Sequence, residues 1–137
     1  FLHLADVTAK AIRKTQSRRP LLLATRFTME QRFYRDRLAA FGVEALVPDE
    51  TERGEVHRII YEELCRGRIE PGSKARYREI VDRVVREEGA DGVILGCTEI
   101  TLLLSQSDFA QPVFDTTALH VDAALDFAAD LSEQVAA

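Results

Sequence analysis

Apolar residues in this chain fall into two kinds of run, and the two kinds alternate. Leu21-Leu22-Leu23-Ala24 is continuous, too short for a helix and suited to a strand buried on both faces. Val43–Val47, closed by Pro48, Gly92–Leu95 and Pro112-Val113-Phe114 read the same way. Between them the apolar positions recur every three to four residues. Ala5, Ala9 and Ile12 predict a helix over 4–16, followed by a polar loop, Gln16–Pro20. Thr25-Arg26-Phe27 predicts a turn. Thr28-Met29-Glu30-Gln31 has the form of a capping box, launching a helix with Phe33, Tyr34, Leu38 and Phe41 that stops at Gly42. Asp49 with Glu52 predicts another capped helix, its inner face Val56, Ile59, Ile60 and Leu64, ending near Gly67. Pro71-Gly72-Ser73 restarts a helix with Tyr77, Ile80, Val81, Val84 and Val85 inward, ending at Gly89. Asp115-Thr116-Thr117 opens a last helix striped by Val121, Ala124, Leu125, Ala128 and Leu131. Strands alternating with helices predict an α/β fold: a parallel four-stranded sheet flanked by helices, Rossmann-like or flavodoxin-like.

Composition narrows this picture modestly. At 137 residues there is room for one domain over 1–137, and no repeat or linker divides it. A formal charge of −5 argues against nucleic acid or an anionic membrane as partner. No apolar run reaches the roughly 20 residues that span a bilayer. The expected location is cytoplasmic, and the start at Phe1 reads as a truncation. Cys65 and Cys97 lack metal-ligand spacing and read as two reduced thiols. Neither a phosphate-binding Gly-Lys-Ser loop nor Gly-x-Gly-x-x-Gly is present.

In an open parallel sheet, ligands bind beyond the carboxyl ends of the strands. Three segments fall there: Thr25-Arg26-Phe27-Thr28, Gly96-Cys97-Thr98-Glu99 and Asp115-Thr116-Thr117. A hydroxyl after a strand often serves only as a helix cap. Three such loops on one edge, however, offer donors for a carboxylate. Cys97 follows a glycine turn at a helix entrance, where backbone N–H groups favour the thiolate. Read alone, it also fits a packed core thiol. Cys65, on the helix with Ile60 and Leu64, fits packing or surface exposure. His57 is expected to face solvent among charges, and His120 to lie on the surface of the last helix.

Leu95-Gly96-Cys97-Thr98-Glu99, in order with Thr25-Arg26-Phe27-Thr28-Met29, Val47-Pro48-Asp49, Ile60–Leu64 and Phe114–His120, resembles the aspartate/glutamate racemase family. The likeness is strongest to its aspartate racemase and broad amino-acid racemase branch, and covers almost the whole chain. It implies a cofactor-independent enzyme of two similar domains around one cleft. Each domain supplies a cysteine, one thiolate taking the substrate α-proton while the opposite thiol donates to the other face. By this resemblance Cys97 is the second acid/base, and its thiol needs only modest lowering from about 8.5. Thr25, Thr28, Thr98, Glu99, Thr116 and Thr117 become candidate substrate contacts, with Glu99 orienting an amino group or favouring the helix start. The implied ligand is a small amino acid or dicarboxylate, and members are commonly dimers, which leaves a homodimer open.

Two departures follow. The family's first cysteine lies in a Cys-Asn-Thr motif that is absent here, so the chain resembles the C-terminal portion of a two-domain enzyme. Residues 116–137 would then be a closing helix packing on the other domain. Aspartate-selective members carry, where Cys65 stands, a lysine that contacts the distal carboxylate; its replacement favours a broader or different side chain. Related cleft chemistries, such as maleate isomerisation, hydantoin racemisation and arylmalonate decarboxylation, are the enzymatic alternatives. A non-catalytic carboxylate-binding fragment is the third.

Overall fold

A computed structural model describes residues 3–136. Helix α1 (Leu4–Arg13) leads to strand β1 (Pro20–Leu23), then α2 (Arg26–Glu30), α3 (Arg32–Ala39), α4 (Glu50–Glu62) and α5 (Pro71–Glu88). Strand β2 (Gly92–Leu95), strand β3 (Val113–Asp115) and helix α6 (Thr116–Ala136) follow. The sheet is parallel, in the order β1-β2-β3. Every residue of β1 and β2 is buried, the signature of strands covered on both faces.

The sheet has three strands where the sequence predicts four. Residues 43–47 do run beside β1, with N–H donations from Glu44 to the Arg18 carbonyl, Leu46 to the Pro20 carbonyl and Leu22 to the Leu46 carbonyl. Only the Leu46–Leu21 bridge completes, and the cause is chemical. The rungs on either side would need N–H groups from residues 20 and 48, and both are proline.

The second helix also departs from expectation. Thr25, not Thr28, is the N-cap, its hydroxyl accepting from the Thr28 N–H at 3.5 Å. Gln31 then adopts extended backbone and splits the helix into α2 and α3. Met29 and Leu38 are both fully buried. Nine residues apart, they would lie on opposite sides of a straight helix, about 180° from each other. The break lets both enter one core, whereas Phe33 is left largely exposed against His3.

The other capping expectations are met. Asp49 and Glu52 form a reciprocal capping box at α4. Gly67 and Gly89 end their elements in the left-handed conformation. Helix α1 is shorter than expected, stopping at Arg13, with Ala5, Ala9 and Ile12 buried as the pattern requires. On α6 the apolar stripe is not covered: Val121, Leu125 and Leu131 are exposed, Leu125 by 62%. No helix among the described residues is long and apolar enough to cross a membrane.

Candidate active site

The strand register decides which side chains meet. Leu23 pairs with Leu95, and Leu95 with Asp115, so Thr25, Cys97 and Thr117 each lie two residues past the same level of the sheet. Gly96 makes the β1–β2 crossing close. Its N–H donates to the Leu23 carbonyl at 2.8 Å, and a β-carbon there would lie 3.0 Å from Leu22 Cδ1 and 3.2 Å from Ala24 Cβ. Its φ is not positive, so the glycine serves close approach, not an unusual turn.

Cys97 caps a 3₁₀ turn, Thr98–Leu102, instead of a full helix. Half-buried, it donates its thiol proton to Glu99 Oε2 at 3.0 Å, and Thr98 Oγ1 donates to the same oxygen at 2.7 Å. Burial, and then the Glu99 carboxylate, push the thiol up to about 11, while the backbone N–H groups of Glu99 and Ile100 pull the other way. This corrects the expected lowering. One short turn supplies too few aligned donors to offset desolvation and an adjacent anion. Donations from Cys97, Thr98 and its own N–H hold the Glu99 carboxyl below its ordinary range. Buried Tyr77, whose hydroxyl donates to the Val56 carbonyl at 2.8 Å, has its ionisation pushed up by burial and then by Cys97.

The remaining predicted residues separate by environment. The Thr25 hydroxyl donates to Thr28 Oγ1 at 3.3 Å, and both threonines are partly exposed. Thr116 is buried and donates to the Leu95 carbonyl at 2.9 Å, tying β3 to the strand that carries Cys97. Thr117 is exposed, next to Asp115, whose Oδ1 accepts from the Ala118 N–H. Cys65 is exposed on a 3₁₀ turn, Leu64–Arg66, that packs against Thr98–Leu102. His120 is half-buried, with Nδ1 buried and unpartnered among the described residues.

His57 is not simply solvent-facing. Its Nδ1 accepts from the Arg26 N–H at 2.9 Å, and its ring lies against Tyr61, centroids 4.6 Å apart. From the sequence, Arg26 reads only as part of the Thr25–Thr28 loop at the carboxyl edge, with no link to His57. The available signal was Gly54, His57 and Tyr61 spaced along one helix face. Among the described residues no group of three His, Cys, Asp or Glu side chains could hold a metal ion.

Comparison with known proteins bears on the family and the fold. The Asp/Glu/hydantoin racemase family profile matches residues 1–124. A Yersinia pestis protein assigned as an Asp/Glu racemase is 50% identical, with a TM-score of 0.87 over 93% of this chain and 55% of its own. An aspartate racemase homologue from Pyrococcus horikoshii OT3 is 36% identical, with a TM-score of 0.88 over 93% of this chain and 56% of its own. An uncharacterized protein from the pnlA 3′ region of Pectobacterium carotovorum subsp. carotovorum is 32% identical over 112 residues, 82% of this chain and 73% of that protein. The chain thus spans little more than half the length of these solved relatives. A parallel sheet that places a thiol and hydroxyls on its carboxyl edge, and a profile match over most of the sequence, assign the chain to the Asp/Glu/hydantoin racemase family.

Proposed function

We propose that the complete protein is a cofactor-independent amino-acid racemase in which Cys97 is the acid/base for one face of the substrate. The observation that carries the reading is the Cys97 thiol at the carboxyl edge, protonated and aligned by Glu99. A thiol of raised pKa holds a proton at neutral pH and is ready to deliver it to a carbanion. Glu99 is the positioning residue: its carboxylate fixes the S–H direction and is itself fixed by Thr98. In the donating direction, the group on the opposite face removes the α-proton, the electron pair stays on the α-carbon, and Cys97 protonates the other face. The reverse direction exchanges the two roles. Thr28 and Thr117 would donate hydroxyl protons to the substrate carboxylate, with Thr25 and Thr98 holding Thr28 and Glu99 in place and Thr116 supporting the strand beneath them.

The opposing acid/base is assigned to a part of the protein outside this sequence. Support comes from the absence of a Cys-Asn-Thr motif here and from solved relatives about 1.7 times as long. Exposed Cys65 lies on a turn after a helix, not at a strand end, and is not assigned that role. The reading is tested by incubating the complete protein with amino acids in deuterium oxide, without added cofactor. The expected result is deuterium at Cα together with loss of optical activity. Turnover of maleate, hydantoins or arylmalonates with no amino-acid exchange would instead assign the site to another chemistry in the family's cleft.

A further inference from the structure

We propose that Cys65 is a resolving thiol for Cys97, and that a peroxide joins the two in a disulfide that reversibly withdraws Cys97 from its chemistry. The inference rests on the racemase reading above and adds a regulation of the same site. The chain holds two cysteines, and both are free. They stand on turns that pack together. Cys65 is the middle residue of the Leu64–Arg66 turn, and Cys97 caps the Thr98–Leu102 turn. Cα atoms of the two turns approach within 8 Å, and buried Leu64 and Ile100 anchor both in one core. Tyr77 supplies a second, independent placement. Its ionisation is opposed by burial, then by Cys97, then by Glu63, the residue before Leu64. The thiol and the foot of the Cys65 turn therefore flank one buried side chain.

A disulfide spans about 4.4–6.8 Å between Cα atoms, so a small shift of the Cys65 turn brings the pair into range. The turn is three residues long, and Gly67 behind it has open space where a β-carbon would stand. Its foot is fixed, because the Glu63 carboxylate accepts from Ser73 Oγ and from Arg58 Nη1. The two thiols differ in access. Cys65 is exposed and meets a dissolved oxidant first, whereas Cys97 is half-buried with its proton on Glu99. In the first step the Cys65 sulfur attacks one oxygen of hydrogen peroxide. An S–O bond forms, the O–O bond breaks, and the leaving hydroxide takes up the thiol proton as water. In the second step the Cys97 sulfur attacks the sulfenic sulfur, and its proton passes to Glu99 Oε2, 3.0 Å away. The S–O bond breaks, and the departing hydroxyl collects that proton and leaves as a second water. Two thiols are oxidised and one peroxide is reduced. The bond consumes the S–H that Glu99 aligns, and an external thiol restores it.

The test uses the complete protein, reduced and then treated with hydrogen peroxide, and has two readouts. The first is mass spectrometry of tryptic peptides prepared without reductant, which needs no activity. The peptide Ile59–Arg66 is expected to be linked to the peptide that begins at Glu87 and carries Cys97, and dithiothreitol is expected to release both. The second is α-hydrogen exchange, with each protein compared with its own untreated rate. Peroxide is expected to lower wild-type exchange about tenfold, and dithiothreitol to restore it. Cys65→Ser is expected to form no such link and to be inactivated about tenfold more slowly, since its half-buried thiol lacks the exposed partner. Oxidised wild type with Cys97 unlinked, or linked to a cysteine outside this sequence, overturns the proposal. So does inactivation of Cys65→Ser at the wild-type rate. If the wild type exchanges no amino acid, the racemase reading fails, and the linked peptide alone decides the thiol pair: its presence supports the pair, its absence overturns it.

Discussion

The acidity of Cys97 is set by influences that oppose one another. Burial and the Glu99 carboxylate favour the thiol, pushing it up to about 11, whereas the N–H groups of Glu99 and Ile100 favour the thiolate. Removing the carboxylate shifts the balance toward thiolate. Glu99→Gln is therefore expected to speed alkylation of Cys97 by iodoacetamide at pH 8, about three- to fourfold for each unit that the pKa falls, since the tenfold gain in thiolate is partly offset by its weaker nucleophilicity. Mass spectrometry separates this reaction from that of exposed Cys65. A slower reaction in the variant would mean that Glu99 activates the thiol. The sequence made Cys97 conspicuous and placed it correctly at a strand end, but it could not give the thiol's acidity. That depends on burial and on Glu99 folding back within 3.0 Å, and neither follows from spacing.

At the scale of elements, continuous apolar runs identified β1 and β2 and placed β3 within one residue, and helical spacing identified the cores of α4 and α5. The misreadings came from properties that hydrophobicity does not encode. The Val43–Val47 segment has the side chains of a strand, but its flanking rungs fall on Pro20 and Pro48, visible as a conflict only once register is known. Threonine 28 matched a capping motif, yet burying both Met29 and Leu38 required a break at Gln31 and an earlier cap. The proline explanation makes its own prediction. In Pro48→Val, the new N–H at residue 48 faces the Leu22 carbonyl and should show slow hydrogen exchange by NMR, comparable with that of Leu46. Exchange as fast as in an exposed loop would show that something other than the missing donor limits the pairing.

Taken whole, the domain presents its chemistry on one side and an uncovered apolar helix at its end. Strand register aligns three loops at the carboxyl edge, which the alternation of runs along the sequence had already brought together. The groove between α1 and α6, about 370 Å³ and lined by Val7, Lys10, Leu119 and Asp122 among others, shares no residue with that edge. On the proposed reading the site is half of an enclosure, with Cys97 as one acid/base and the opposing group outside the described residues. The function of this fold turns on whether the Cys97 thiol moves the α-proton. The direct measurement is α-hydrogen exchange in deuterium oxide by the complete protein, comparing wild type with Cys97→Ser, the fold of each checked by circular dichroism. A proton-transferring Cys97 predicts a fall of about 10²- to 10⁴-fold in racemisation; exchange and racemisation at the wild-type rate in Cys97→Ser would contradict it.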